Sequence, residues 1–96
     1  MNLHIVALFK FNENYLMEAV ELFQILVRET RKEEGCLQYD LIEDKDNKGT
    51  FFLIELWESI EHHNRHSGQD HLLNFRTDAS KMLVSSTLVY KGFKIL

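Results

Sequence analysis

Apolar residues recur along the chain with two different periods, and these predict its strands and helices. Residues 3–9 are rich in β-branched and aromatic side chains, and alternate positions share one face, as in a half-buried strand. Between residues 16 and 27 the apolar positions recur at steps of three and four, which predicts an amphipathic helix. We expect Asn12 or Asn14 to cap the start of this helix and Gly35 to end it.

The middle of the chain predicts a β-hairpin. Residues 36–43 and 50–57 have the composition of strands, and the polar segment 44–49 between them, which ends in Asn-Lys-Gly, predicts the loop. In the first strand of the hairpin, one face is expected to carry Leu37, Tyr39 and Leu41.

The last part of the chain predicts helical segments followed by a strand. Ser59 is placed to cap a histidine-rich helix, which Ser67-Gly68 interrupts. We expect the helix to restart over residues 70–75, with a further turn at 78–82. The loosely alternating residues 84–95 predict a long last strand.

The resulting order, strand–helix–strand–strand–helix–strand, predicts an α+β fold. With right-handed crossovers it corresponds to a ferredoxin-like βαββαβ sandwich, in which helices cover one side of a four-stranded antiparallel sheet. A chain of 96 residues has room for one core, so residues 1–96 are expected to form a single domain.

Both faces of this predicted sheet are apolar. The strand at 50–57 presents Phe51, Leu53, Glu55 and Trp57 on one face, and its other face carries Phe52, Ile54 and Leu56. Two helices cover only one face, and leaving three such side chains in water would forgo roughly 1.5–3 kcal/mol each. We therefore expect a homodimer that packs sheet against sheet; the alternative is a monomer with an exposed apolar face.

Charge and composition exclude several classes of protein. Eleven basic and fifteen acidic residues give a net charge of −4, so no basic stripe is available for nucleic acid or an anionic membrane. The longest uncharged apolar run, residues 51–54, is too short to span a bilayer, and the first residues lack the features of a signal peptide, so a cytoplasmic protein is expected. The lone Cys36 excludes an intrachain disulfide and a multi-cysteine zinc site.

The candidate chemistry lies between residues 55 and 71, which contain four of the five histidines and the single tryptophan. His66 can share a helix face with His62 or His63, a spacing that suits metal binding, but no carboxylate stands at a diagnostic spacing, and we predict no metal site. The alternative is acid–base chemistry, with His66 beside an indole wall formed by Trp57. No nucleophilic triad, phosphate-binding glycine loop or dinucleotide fingerprint is present, so a dedicated site for a nucleotide cofactor is not expected.

Two segments of the chain resemble the antibiotic biosynthesis monooxygenase superfamily. Residues 34–40 (Glu-Gly-Cys-Leu-Gln-Tyr-Asp) resemble the family's E-P-G-C-L-x-Y-x block, with Glu34 in place of the frequent proline. Residues 55–59 (Glu-Leu-Trp-Glu-Ser) resemble its E-x-W-x-S strand end. The family's H-x-x-x-x-H pair is matched by His66 and His71. The resemblance covers nearly the whole chain, because the order of elements is the same.

The resemblance implies a dimeric α+β barrel with a cavity between sheet and helices in each subunit. Its members include cofactor-independent oxygenases of quinols and polyphenols, in which the deprotonated substrate itself supplies electrons to dioxygen. Our leading expectation is thus a cofactor-independent monooxygenase of a small aromatic or quinol substrate, with His66 as the catalytic base. The implied pocket residues are Trp57, His63, Tyr39, His71 and Phe75.

Two other functions remain open at this point. The family also includes an isomerase of a phosphorylated quorum-sensing signal related to autoinducer-2, and a phosphate could here be held by His63, His66 and Arg76. A non-catalytic protein that binds haem or another small molecule is the second alternative. Several family oxygenases and haem degraders use a pocket asparagine, whereas this chain has Leu53 on the third strand and only Asn2 near the first.

Overall fold

The computed structural model describes all residues from 1 to 96 and has a four-stranded antiparallel sheet with its helices on one face. This confirms the predicted α+β, ferredoxin-like fold. In chain order the elements are β1 (Leu3–Lys10), a 3₁₀ turn (Glu13–Tyr15), α1 (Leu16–Thr30), β2 (Cys36–Glu43), β3 (Thr50–Trp57), α2 (Ile60–Ser67), α3 (Asp70–Ala79) and β4 (Leu88–Gly92).

The strand order β2-β3-β1-β4 places β1 and β3 at the centre of the sheet. All three pairings are antiparallel, and directly paired residues point to the same face. One such row crosses the whole sheet on the side of the helices and consists of Tyr39, Glu55, Ile5 and Lys91. This row matters below because it carries three polar side chains on the face that holds the core.

Ser59 caps α2 as the sequence predicts, whereas Asn12 caps the 3₁₀ turn that precedes α1, and α1 itself, with Tyr15 at its N-cap, starts without a side-chain cap. The Asn12 side chain accepts a hydrogen bond from the Asn14 backbone N–H at 2.9 Å, and the Ser59 hydroxyl accepts one from the His62 N–H at 3.2 Å. Each cap satisfies a backbone donor that a helix leaves free in its first turn. The break at Gly68 separates α2 from α3 as expected.

The start of β2 differs from the prediction in two ways. α1 ends at Thr30, and Gly35 instead serves the turn into β2, where its φ of +85° favours glycine. A Cβ on Gly35 would clash with the His62 ring. The register shifts between Cys36 and Gln38, so Leu37 is 48% exposed instead of sharing the buried face with Tyr39.

The last strand is shorter than predicted. β4 pairs with β1 only from Leu88 to Gly92, opposite residues 8 to 4 of β1. Gly92 pairs with His4, and β1 begins at Leu3, so the residues after Gly92 have almost no strand left to pair with. Before β4, Val84 donates its N–H to the Lys10 carbonyl at 2.9 Å, but no continuous strand pairing connects this hydrogen bond to β4.

Phenylalanine rings cluster at one end of the core. Phe23 on α1 lies 5.3 Å from Phe9, 5.3 Å from Phe51 and 4.9 Å from Phe75, measured between ring centroids. The polar row through Glu55 lies towards the opposite end of β3, near Trp57. The core therefore leaves space between the sheet and α2–α3.

None of the helices combines the length and the apolar character that spanning a membrane requires.

Candidate active site

A cavity of about 340 Å³ lies between the helix-facing side of the sheet and the helices α2 and α3. Ala7 helps to create it, since a methyl group stands on β1 between the larger Ile5 and Phe9. Its apolar lining consists of Ala7, Phe9, Leu53, Leu72, Phe75 and Val89. Its polar lining consists of Tyr39, Glu55, His63, His66, Ser67, Arg76, Thr87 and Lys91. Apolar walls with a few convergent polar groups are typical of a small-molecule site.

The structure brings four of the six predicted site residues to this cavity: His66, His63, Tyr39 and Phe75. Trp57 does not line it, which corrects the expectation that its indole forms a wall. The indole is fully buried behind His66, with ring centroids 4.8 Å apart and planes inclined by 33°. Trp57 therefore supports the His66 ring from behind. His71 lies outside the lining as well.

His66 lines the cavity, and one of its ring nitrogens is held by a carboxylate. Its Nδ1 lies 2.6 Å from Oε2 of Glu33, and since an ionised carboxylate only accepts, Nδ1 carries the proton. Nε2, which makes no hydrogen bond within the protein, is then the nitrogen with a free lone pair. Burial lowers the pKa of His66, which is 2% exposed, while the Glu33 carboxylate opposes that shift. The residue is thus neutral near pH 7 and able to accept a proton.

Glu33 also accepts a hydrogen bond from His71, whose Nε2 lies 2.8 Å from the same oxygen. The Glu33 side chain is 11% exposed and stands on the turn between α1 and β2. It therefore links the cavity-facing His66 to His71, which lines a groove on the outer surface of the protein. Sequence spacing could not reveal this cluster, because Glu33 is 33 residues from His66 and 38 from His71.

Glu33, His66 and His71 also carry donor atoms that could together hold a metal ion. Their nitrogen and carboxylate oxygen atoms lie within 4.8 Å of one another. A divalent ion would replace the two N–H protons that now join them. The histidine pairs expected from sequence are not arranged in this way, since His62 Nδ1 lies 2.7 Å from the Ser59 hydroxyl at the start of α2.

Glu55 is a buried, ionisable cavity residue to which sequence reasoning gave no role. It is 6% exposed, and its carboxylate accepts one hydrogen bond, from the indole N–H of Trp57 at 3.0 Å. Burial raises the pKa of this carboxyl to about 7. A signal for it exists in the sequence: a glutamate stands at a core-facing position of a strand that is otherwise apolar on that face.

The remaining polar groups give the cavity a mixed charge. Burial, together with Lys91, His66 and Arg76, lowers the pKa of His63 to about 4, so this imidazole is neutral at pH 7. Burial raises the pKa of the Tyr39 hydroxyl, so the phenol keeps its proton. Positive charge at the cavity thus comes from Arg76 on α3 and Lys91 on β4.

A buried base beside a partly open cavity of mixed apolar and polar lining defines a small-molecule site on a ferredoxin-like domain. The sequence profile of the antibiotic biosynthesis monooxygenase family matches residues 2–78, which is most of the chain, and the protein belongs to that family.

Two relatives share about a third of their aligned residues with this chain. The Mycobacterium tuberculosis protein named "Putative monooxygenase Rv0793" is 34% identical over 68 residues, which span 71% of this chain and 66% of that protein. The Bacillus subtilis protein named "Putative monooxygenase YcnE" is 34% identical over 71 residues, or 74% of this chain and 70% of that protein.

Solved structures agree with the fold along the whole chain. The structure of Rv0793 superposes with a TM-score of 0.93 and 26% identity, covering 99% of this chain and 96% of that one. A conserved protein from Methanosarcina mazei gives a TM-score of 0.95 at 24% identity, covering 99% and 94%, a likeness that concerns the fold alone.

Proposed function

We propose that this protein is a cofactor-independent monooxygenase that oxidises a small aromatic or quinol substrate with dioxygen. The observation that carries the proposal is the setting of His66, which lines the cavity and whose Nδ1 is held by Glu33, so that Nε2 keeps a free lone pair. Family membership and the names of the two relatives support a monooxygenase type of activity.

The site supplies what such a reaction needs from a protein. His66 Nε2 takes a proton from a hydroxyl group of the substrate, and the Glu33 carboxylate stabilises the imidazolium that forms. The electron-rich anion then reacts with dioxygen at a ring carbon. Phe9, Phe75 and Leu72 keep this step in apolar surroundings, where an aromatic ring binds favourably and water is displaced.

The electron balance of this reaction is complete without another reductant. One oxygen atom enters the substrate and the other leaves as water, so the substrate supplies all four electrons. A hydroquinone with a free ring position becomes a hydroxyquinone. Its size also fits, since a cavity of about 340 Å³ holds one or two aromatic rings.

The second face of the sheet supports a homodimer as part of this proposal. Side chains on that face remain partly or largely exposed in the single chain, among them Val6, Ile42, Phe52, Ile54 and Tyr90. Contiguous apolar surface of this kind is covered in most stable proteins, and a second copy offers a complementary face.

Light scattering after size exclusion is expected to give about twice the 11.4 kDa of one chain. Ile54→Asp places a charge in the proposed interface and is expected to shift the mass towards one chain. Met17→Asp, on an exposed position of α1, is the matched control and should leave the dimer intact. A wild-type protein with the mass of a single chain would contradict the dimer.

A second function is favoured by the cations of the cavity. Arg76, Lys91 and the His63 imidazole line the same space as His66, and together they suit a phosphorylated or carboxylated substrate. An isomerase of a small phosphorylated signalling molecule would use His66 to move a proton and would need no dioxygen.

Oxygen uptake distinguishes the two functions. Purified, chelator-treated protein is offered a panel of hydroquinones and polyphenols in an oxygen electrode, with and without enzyme. Enzyme-dependent uptake that is lost with His66→Ala supports the monooxygenase. No uptake across the panel, together with proton exchange on phosphorylated keto sugars under anaerobic conditions, would contradict the monooxygenase and support the isomerase.

A further inference from the structure

The carboxyl group of Glu55 lies in the cavity without a partner of opposite charge bonded to it. Its only hydrogen bond comes from the Trp57 indole, and its neighbours in the cross-sheet row are Tyr39 and Ile5. Lys91 completes that row on β4, beyond Ile5, and forms no salt bridge with it. A charged carboxylate in such surroundings raises the free energy of the folded protein, so the presence of a glutamate among core residues calls for an explanation.

The proposed oxidation requires a proton donor as well as a base. After His66 removes the first proton, addition of dioxygen to the ring carbon gives a peroxide anion, which must be protonated. The O–O bond then breaks as the hydrogen on that carbon leaves as a proton, a C=O bond forms, and the departing hydroxide takes up a proton to become water. Two protons leave the substrate and two are delivered to oxygen, so the donor is regenerated.

Of the groups that face this space, Glu55 is the one suited to donate. The titratable and charged side chains around it are Tyr39 and Cys36 on β2, Lys91 on β4, His63 and His66 on α2, Arg76 on α3, and Glu33 in the turn before β2. The Tyr39 phenol is too weak an acid after burial, and His63 is already neutral at pH 7. His66 serves as the base, and the side chains of lysine and arginine hold their protons too tightly at neutral pH.

We propose, on the basis of the function above, that Glu55 is a second catalytic residue, whose carboxyl group donates its proton to the peroxide oxygen and receives the second substrate proton in return. The Trp57 indole, which donates to Oε1, orients the carboxyl group. The raised pKa of Glu55, about 7, agrees with this role, because it keeps part of the population protonated at neutral pH.

Glu55→Gln is the variant that tests the proposal. Glutamine keeps the volume of the side chain, and its amide oxygen can still accept the Trp57 N–H, but it cannot deliver a proton. Glu43→Gln, on an exposed position of β2, is the matched control. With 1,4-dihydroxynaphthalene as the probe, the products are 2-hydroxy-1,4-naphthoquinone from oxygenation, and 1,4-naphthoquinone with hydrogen peroxide from failed oxygenation.

We expect Glu55→Gln to lower kcat for the hydroxyquinone by about 10²-fold, the usual scale for a proton donor, with little change in KM. The variant should release more hydrogen peroxide per oxygen consumed. The decline of the wild-type kcat above about pH 7 should disappear in the variant, because it reflects ionisation of Glu55. A merely structural role would change neither the product ratio nor the pH profile.

The possible failures can be told apart. If the wild type turns over the probe and Glu55→Gln is equally active, the assignment of Glu55 is wrong, but the monooxygenase function is unaffected. A wild-type protein that oxidises no hydroquinone overturns both. Infrared spectroscopy of the free protein adds a readout without turnover: the C=O band of a protonated carboxyl at pH 6 should be absent from Glu55→Gln, and its absence from the wild type would also overturn the assignment.

Discussion

Replacement of His66 by alanine is expected to reduce the rate of enzyme-dependent oxygen consumption by about 10²–10⁴-fold, the range that a positioned general base contributes. The imidazole lines the cavity, and the hydrogen bond from Nδ1 to Glu33 sets its tautomer and leaves a lone pair on Nε2. The His63 imidazole also lines the cavity, but it forms no hydrogen bond to a carboxylate that would stabilise its charged form.

His62→Gln is the control for this prediction. His62 lies on the same helix, but it faces Ser59 and does not line the cavity. Rates are measured with an oxygen electrode on chelator-treated proteins whose circular dichroism spectra match. If His66→Ala consumes oxygen as fast as the wild type, the assignment of the base is wrong.

The second large effect concerns stability and its dependence on pH. The pKa of Glu55 rises from an ordinary 4.5 to about 7 on folding, so between these values the folded protein binds more protons than the unfolded chain. Stability is then lost as the pH rises through this window, and the shift corresponds to about 3 kcal/mol once the pH exceeds both values. Glu55→Gln avoids this cost, and the variant should exceed the wild type in free energy of unfolding by up to about 3 kcal/mol at pH 8 and by little at pH 4.5.

Urea denaturation at pH 4.5 and pH 8, at one protein concentration, measures this difference. The lowered pKa of His63 has the opposite effect on stability. The pKa of this imidazole falls from an ordinary 6.5 to about 4 on folding, so stability is lost as the pH drops through that range. That contribution is present in both proteins and cancels when the two are compared. An advantage of Glu55→Gln that is the same at both pH values would contradict the assignment of a buried, titrating carboxyl.

The fold could be predicted from sequence because periodic burial dictates it. The alternating residues of β1 and β3 and the three- and four-residue steps of α1 each specify an element and its inward face. The bulge at Leu37 and the short β4 could not be foreseen, because both depend on which residues a neighbouring strand offers as partners.

The site could be predicted in part. The sequence predicts His66 as a base from its place in a histidine-rich helix beside Trp57, whereas His63 is implied as a pocket residue by the family resemblance. The contact of Glu33 with His66 depends on bringing the turn after α1 onto the corner between α2 and α3, which no local pattern encodes. The sequence predicts Trp57 as a wall of the pocket beside His66, but the His66 ring stands between the indole and the cavity.

The measurement that tests the central claim most directly is turnover of 1,4-dihydroxynaphthalene under ¹⁸O₂ by chelator-treated protein, with mass spectrometry of the product. The account predicts a hydroxyquinone that carries one ¹⁸O atom, formed at a rate that depends on enzyme and falls with His66→Ala. A product without ¹⁸O, or labelling at the same rate in the absence of enzyme, would contradict it.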